Sequence, residues 1–149
     1  MNHAYAIFPL ILGVFAVLQA ALNRKILGQL GLTYAVILNA SVLLIVASTF
    51  AAIVRFFPDA FPGDFRGRLA LSSVRWWFFI PGCCGFLIVS GIPWLMGKIG
   101  ALSVFVSLVA AQVVASAAWD AVFEGQPVSA SRIAGSLLAI AAVALVSWK

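Results

Sequence analysis

Five apolar runs occupy nearly all of this chain, and each reaches or approaches the roughly 20 residues that a helix needs to cross about 30 Å of hydrocarbon. They cover residues 4–22, 33–54, 76–96, 99–123 and 131–148. Inside a bilayer no water is available to the backbone N–H and C=O groups, so each run must form a helix. The chain therefore reads as an all-α membrane protein with five transmembrane helices. A soluble alternative fails on composition. Of 149 residues, 64% are hydrophobic and 9% charged, whereas a water-soluble domain carries about a quarter charged residues. A globule of this size would still expose roughly 30% of its unfolded surface to water. The expected organisation is a single transmembrane domain over residues 1–149, with no soluble domain.

The first run is longer than a signal-peptide core and lacks a clear small-residue cleavage site, so it is expected to remain in the mature protein. The connections are short. Gly28 and Gly31 follow Asn23-Arg24-Lys25, Gly97-Lys98 separates the third and fourth runs, and Glu124-Gly125-Gln126-Pro127 precedes the fifth. Only 55–75 is substantial. It carries Pro58, Pro62 and Gly63 as breakers, and Phe56, Phe57, Phe61 and Phe65 alternate with its charges. That segment reads either as a partly helical interfacial stretch or as an aromatic-rich loop. Tyr5, Trp76, Trp77 and Trp119 fall at one membrane face and Tyr34, Trp94 and Trp148 at the other, as aromatic belts do. An odd number of crossings places the two termini on opposite sides.

The net charge of +5 comes from nine Lys and Arg against four Asp and Glu, and the basic residues all lie at or between the runs. That distribution answers to lipid headgroups and membrane insertion, not to nucleic acid. Arg24, Lys25, Lys98 and Lys149 fall on one side; Arg55, Arg66, Arg68, Arg75 and Arg132 fall on the other. Four against five gives neither orientation a meaningful excess under the positive-inside rule. A chain inserted both ways can pair with its own inverted copy, so the charges point to dual topology and an antiparallel homodimer. The alternatives are an oppositely oriented homologue as partner, or one fixed orientation set by features other than charge.

Gly13, the run Gln19-Ala20-Ala21-Leu22-Asn23, Leu30-Gly31, Gly97-Lys98-Ile99-Gly100-Ala101, Gln112, Asp120 and Arg132-Ile133-Ala134-Gly135 occur in an order and spacing that resemble the YdcZ-like five-helix family of the drug/metabolite transporter superfamily. The resemblance implies half of a ten-helix inverted-repeat transporter in the inner membrane. It also implies a dimer, or a pair with a homologue, that moves small metabolites or drugs by alternating access. Where the family pattern has a His-containing segment after Asp120, this chain has Ala121-Val122-Phe123-Glu124.

Polar side chains within hydrocarbon mark helix–helix hydrogen bonds or a water-lined path. Gln19 and Asn23, four apart and so on one helical face, are candidates for a midplane substrate pathway together with Asn39, Gln112 and Ser116. Tying helices together is the competing role for the same amides. Gln112, Ser116 and Asp120 recur every four residues along the fourth run. Asp120 is the one acid placed within membrane depth, and so the candidate ion-coupling site. Its position beside Trp119, near the far interface, favours an interfacial anchor over a coupling site. Gly82, Gly85 and Gly91 lighten the third run, which also holds Pro81 and Pro93 and is the likeliest to bend. Gly135 and Ala139 continue a small-residue stripe from Ser131 in the fifth, and all five small positions read as helix-packing residues.

Enzyme chemistry finds no footing. The single His3 precedes the first run, and no paired carboxylates, activated nucleophile or phosphate-binding glycine loop is present. Cys83 and Cys84 are adjacent, which suits neither a redox pair nor a metal site, and they read as small packing residues. No cofactor and no metal are expected. The expected partners are the lipid bilayer, a small-molecule substrate and an inverted copy or homologue. A small secondary transporter is thus the leading reading, with a dual-topology ion channel or a non-transporting assembly subunit as alternatives.

Overall fold

The computed structural model describes residues 3–67, 74–127 and 129–148, with side chains from Ile7 onward. Arg68 and Lys149, both counted among the topology charges, lie outside the described residues, as do the side chains of His3 and Tyr5. The helices are α1 (His3–Leu30), α2 (Leu32–Phe56), α3 (Ile80–Ile99), α4 (Ala101–Val122) and α5 (Ala130–Ser147). All five are long and apolar enough to cross a membrane, and no more than 11% of any crossing window is buried within the chain. Helices that are apolar on every side and yet exposed need lipid around them. The expected all-α architecture with five spans is the one observed.

The helix ends differ from the expected ones for a backbone reason. α1 does not stop at Leu22, where Asn23-Arg24-Lys25 suggested the membrane edge, but continues through Gly28 to Leu30. Charged side chains do not interrupt a hydrogen-bond ladder. What ends α1 is Gly31, at φ 81° and ψ 164°, a region essentially reserved for glycine. The Gly31 N–H donates to the Leu27 carbonyl at 3.0 Å, and the Gly31 carbonyl accepts from the Ala35 N–H at 3.1 Å. One residue thus closes one helix and opens the next, leaving few backbone groups without partners. Gly100 separates α3 from α4 in the same way, at φ 83° and ψ 159°. Gly97 and Lys98, expected to form that turn, are helical.

α3 is preceded by a 3₁₀ turn over Trp76–Phe79. Pro81 follows the first residue of the helix, where a missing N–H costs little. Pro93, buried, lies inside the helix and removes one donor from its ladder.

The described residues form two compact units whose limits cut through α1 and α3. The first unit comprises the chain up to Ala21 and from Ile92 onward. Its core is Ala20, Met96 and Val104, with Ile92, Phe105 and Leu108 packed around them. Within this unit α4 and α5 lie side by side. α5 starts at a side-chain cap, the Ser129 hydroxyl accepting from the Arg132 N–H at 3.4 Å. The second unit is Leu22–Gly91. Here the segment after α2 turns back on the helix end through two short 3₁₀ turns, Pro58–Ala60 and Gly63–Phe65. Phe50 stands edge-on to Phe61 and Phe65, with ring centroids 5.6 and 6.0 Å apart. The described part of 55–75 is therefore a folded aromatic turn built around two short 3₁₀ turns.

Candidate functional site

Asn23 and Asn39 are brought together. The Asn39 amide nitrogen donates to the Asn23 side-chain oxygen at 3.4 Å, a long hydrogen bond. Asn23 is 7% exposed, the one polar side chain among the buried residues described. The meeting follows from the turn, since each asparagine stands eight positions from Gly31, about 12 Å along its helix. Their depth follows from α2. With Arg55, in its last turn, held at headgroup level, Asn39 lies sixteen positions away, about 24 Å into a hydrocarbon layer of roughly 30 Å. The pair is therefore nearer the face that Gly31 approaches than the midplane. The exposure of Arg24 and Lys25, immediately after Asn23, agrees with that placement, because their stems are long enough to reach the headgroups.

The other three pathway candidates are exposed on their helices. Gln19 lies one turn before Asn23 on α1, on the same face. Gln112 is twelve positions beyond Gly100, about 18 Å along α4, and Gln19 is the same twelve positions before Gly31, so both amides fall close to the midplane. Ser116 follows one turn later, and its hydroxyl is turned back to donate to the Val113 carbonyl at 3.1 Å.

Asp120 ends the α4 stripe, about 30 Å from Gly100 and hence at the opposite edge of the hydrocarbon. Its carboxylate is 3.3 Å from the Arg132 guanidinium on α5, with the two side chains 39% and 38% exposed. The Asp120 carbonyl also accepts from the Gln126 N–H at 2.9 Å, so backbone and side chain both fasten the α4–α5 connection. Sequence reasoning missed this partner: twelve residues and a turn separate the two charges, and no helical periodicity links them. A pair this open to solvent is screened and contributes little. Asp120→Asn is expected to change stability by no more than about 1 kcal/mol, and the small effect should shrink further when thermal unfolding in detergent is repeated at high salt.

Four of the five packing candidates are glycines with open space beside them among the described residues. A Cβ built at Gly82, Gly85, Gly91 or Gly135 meets nothing within 4 Å among the described residues. Ala139, by contrast, is half-buried in the α4–α5 unit. Cys83 and Cys84 are both exposed, which corrects their reading as packing residues within one copy. Neighbouring lipid is as apolar as a protein core, and composition cannot distinguish the two surroundings.

No curated protein and no solved structure matches the chain at a significant level. A family model does, the one described as "Putative inner membrane exporter, YdcZ", and the match covers residues 4–145. That range takes in all but the first residue of α1 and the last two of α5. Five apolar helices, exposed on nearly all sides, and a match along almost their whole length lead to one conclusion: this multi-pass membrane protein belongs to the YdcZ family of inner-membrane exporters.

Proposed function

We propose that this chain is a secondary transporter of small metabolites or drugs that works by alternating access as an antiparallel pair of copies, inserted in opposite orientations. Each copy supplies five of ten helices, the arrangement that an inverted-repeat transporter achieves in one chain. Membership of an exporter family supports transport. The near-equal distribution of Lys and Arg supports insertion both ways. The observation that carries the reading is the amide pair of Asn23 and Asn39 in two helices apolar enough to cross a membrane. Interhelical hydrogen bonds in membranes contribute only about 1 kcal/mol. A long bond at 3.4 Å contributes less, so helix attachment alone is a weak reason to carry two amides there. Gln19 and the Gln112–Ser116 stripe are further candidates for lining a pathway, each on its own helix. The Asp120–Arg132 pair is assigned as an anchor of the α4–α5 connection, and coupling through Asp120 would first require that pair to open.

Flux into liposomes containing purified protein tests the reading, using a panel of labelled amino acids, sugars and cationic dyes with and without a proton gradient. Saturable flux that responds to the gradient is expected for at least one class. Asn39→Leu should lower its maximal rate about tenfold, because the substitution leaves the Asn23 amide without its partner. Rapid, unsaturable ion flux would replace the transporter with a channel. Absence of any flux would leave a membrane assembly subunit.

A further inference from the structure

At the C-terminal end of α2, a cleft of about 720 Å³ opens between the last turns of the helix and the segment that folds back on it. Phe50, Val54 and Arg55 line it from α2, and Pro58, Phe65 and Arg66 from the segment. No acidic side chain is among its lining residues. Arg66 is held in place there. Its Nε and Nη2 donate to the Phe61 carbonyl at 3.1 and 2.8 Å. Its Nη1 is 3.8 Å from Asp59, whose carboxylate is fully exposed and therefore a weak, solvent-screened counterion. Arg55 occupies the last turn of α2 and has no ion-pair partner among the described residues.

The charge balance of this cleft is positive. The carbonyl end of a helix carries roughly half a unit of negative charge, and two guanidinium groups outweigh it. The layering is also specific. Arg55 marks the headgroup level, while Phe50 and the buried Val54 lie up to about one and a half turns deeper, on the hydrocarbon side. A soluble anion would use the guanidinium groups and leave the aromatic floor idle. An amphiphile uses both. Among the described residues the Arg55 fork is free to match phosphate oxygens in pairs, Arg66 adds its fixed positive charge beside it, and a volume of 720 Å³ falls within the roughly 300–1,000 Å³ range of small-ligand pockets. That is room for a glycerophosphate headgroup, with its chains continuing into the bilayer.

We propose that this cleft binds one anionic phospholipid, with the headgroup phosphate between Arg55 and Arg66 and the start of an acyl chain against Phe50 and Val54. The site stands apart from the amide pair and does not depend on the transport reading. Native mass spectrometry of the full chain, released from nanodiscs of phosphatidylcholine with a minor fraction of phosphatidylglycerol, tests it. Phosphatidylglycerol should be retained in preference to phosphatidylcholine. Arg55→Gln should lower that retention about fivefold, as expected for one basic residue at the membrane surface, while Arg24→Gln leaves it unchanged. Arg55 makes no side-chain hydrogen bond among the described residues, so its replacement separates binding from folding, which Arg66→Gln alone would not. Equal retention of both lipids, full retention by Arg55→Gln, or equal loss in Arg24→Gln would overturn the proposal. Displacement of the lipid by glycerol 1-phosphate at matched concentration would overturn it as well, and would assign the cleft to a soluble phosphate ester.

Discussion

Alanine at Gly31 or at Gly100 is expected to destabilise the protein by about 1–3 kcal/mol at each position, read as a lowered thermal midpoint in detergent. The space around each glycine is open, so no clash is involved. The cost lies in the backbone. At φ 81° and ψ 164° for Gly31, and φ 83° and ψ 159° for Gly100, a Cβ has no comfortable conformation. Relaxing either residue would lengthen a one-residue connection that now closes one helix and opens the next. Gly28 and Gly97 provide the contrast, because both are helical and equally open. Alanine there should be neutral or should stabilise by up to about 1 kcal/mol. If Gly31→Ala proved no worse than Gly28→Ala, the reversal between α1 and α2 would have to lie elsewhere.

Two lysines added to one side are expected to abolish transport by a homodimer. Glu124→Lys with Gln126→Lys adds positive charge to the side that already holds Arg55, Arg75 and Arg132. The positive-inside rule then places that side in the cytoplasm for nearly every copy. With all copies aligned, no antiparallel pair forms, and flux should fall to background. Gln29→Lys with Thr33→Lys biases the opposite face, so co-expression of the two double variants should restore flux that neither supports alone. Cysteine-labelling of the unaltered protein is the companion measurement. Each connection should label from both sides of the membrane. Labelling from one side only would reject dual topology and require an oppositely oriented homologue as partner.

The five crossings were legible because hydrocarbon leaves a long apolar run one way to satisfy its backbone. The positions of the breaks were less so. Asn23-Arg24-Lys25 looked like a helix end, since charges stop a membrane-embedded run. They do not stop a helix, and α1 continues two further turns to the residue whose φ does. Gly97 preceded Lys98 and so looked like the turn, yet among closely spaced glycines only the backbone conformation identifies the breaker, and that was Gly100. The juxtaposition of Asn23 with Asn39 was suspected from chemistry, but it becomes a consequence of symmetry once Gly31 is known to lie midway between them. The pairing of Arg132 with Asp120 and the anchoring of Arg66 on the Phe61 carbonyl had no periodic trace in the sequence. Both depend on how a connection folds back on a helix end, which hydropathy does not record.

The helices are unequal in a way that bears on the surrounding lipid. α5 has 18 residues and α1 has 28, about 27 and 42 Å at 1.5 Å per residue, on either side of a hydrocarbon thickness of roughly 30 Å. A helix longer than the hydrocarbon is accommodated by tilting, and a shorter one by local thinning, snorkelling of flanking residues or packing against other helices, at a fraction of a kcal/mol per ångström of hydrophobic mismatch. α5, about 27 Å long, is thus the crossing with the least length to spare in a hydrocarbon layer of roughly 30 Å.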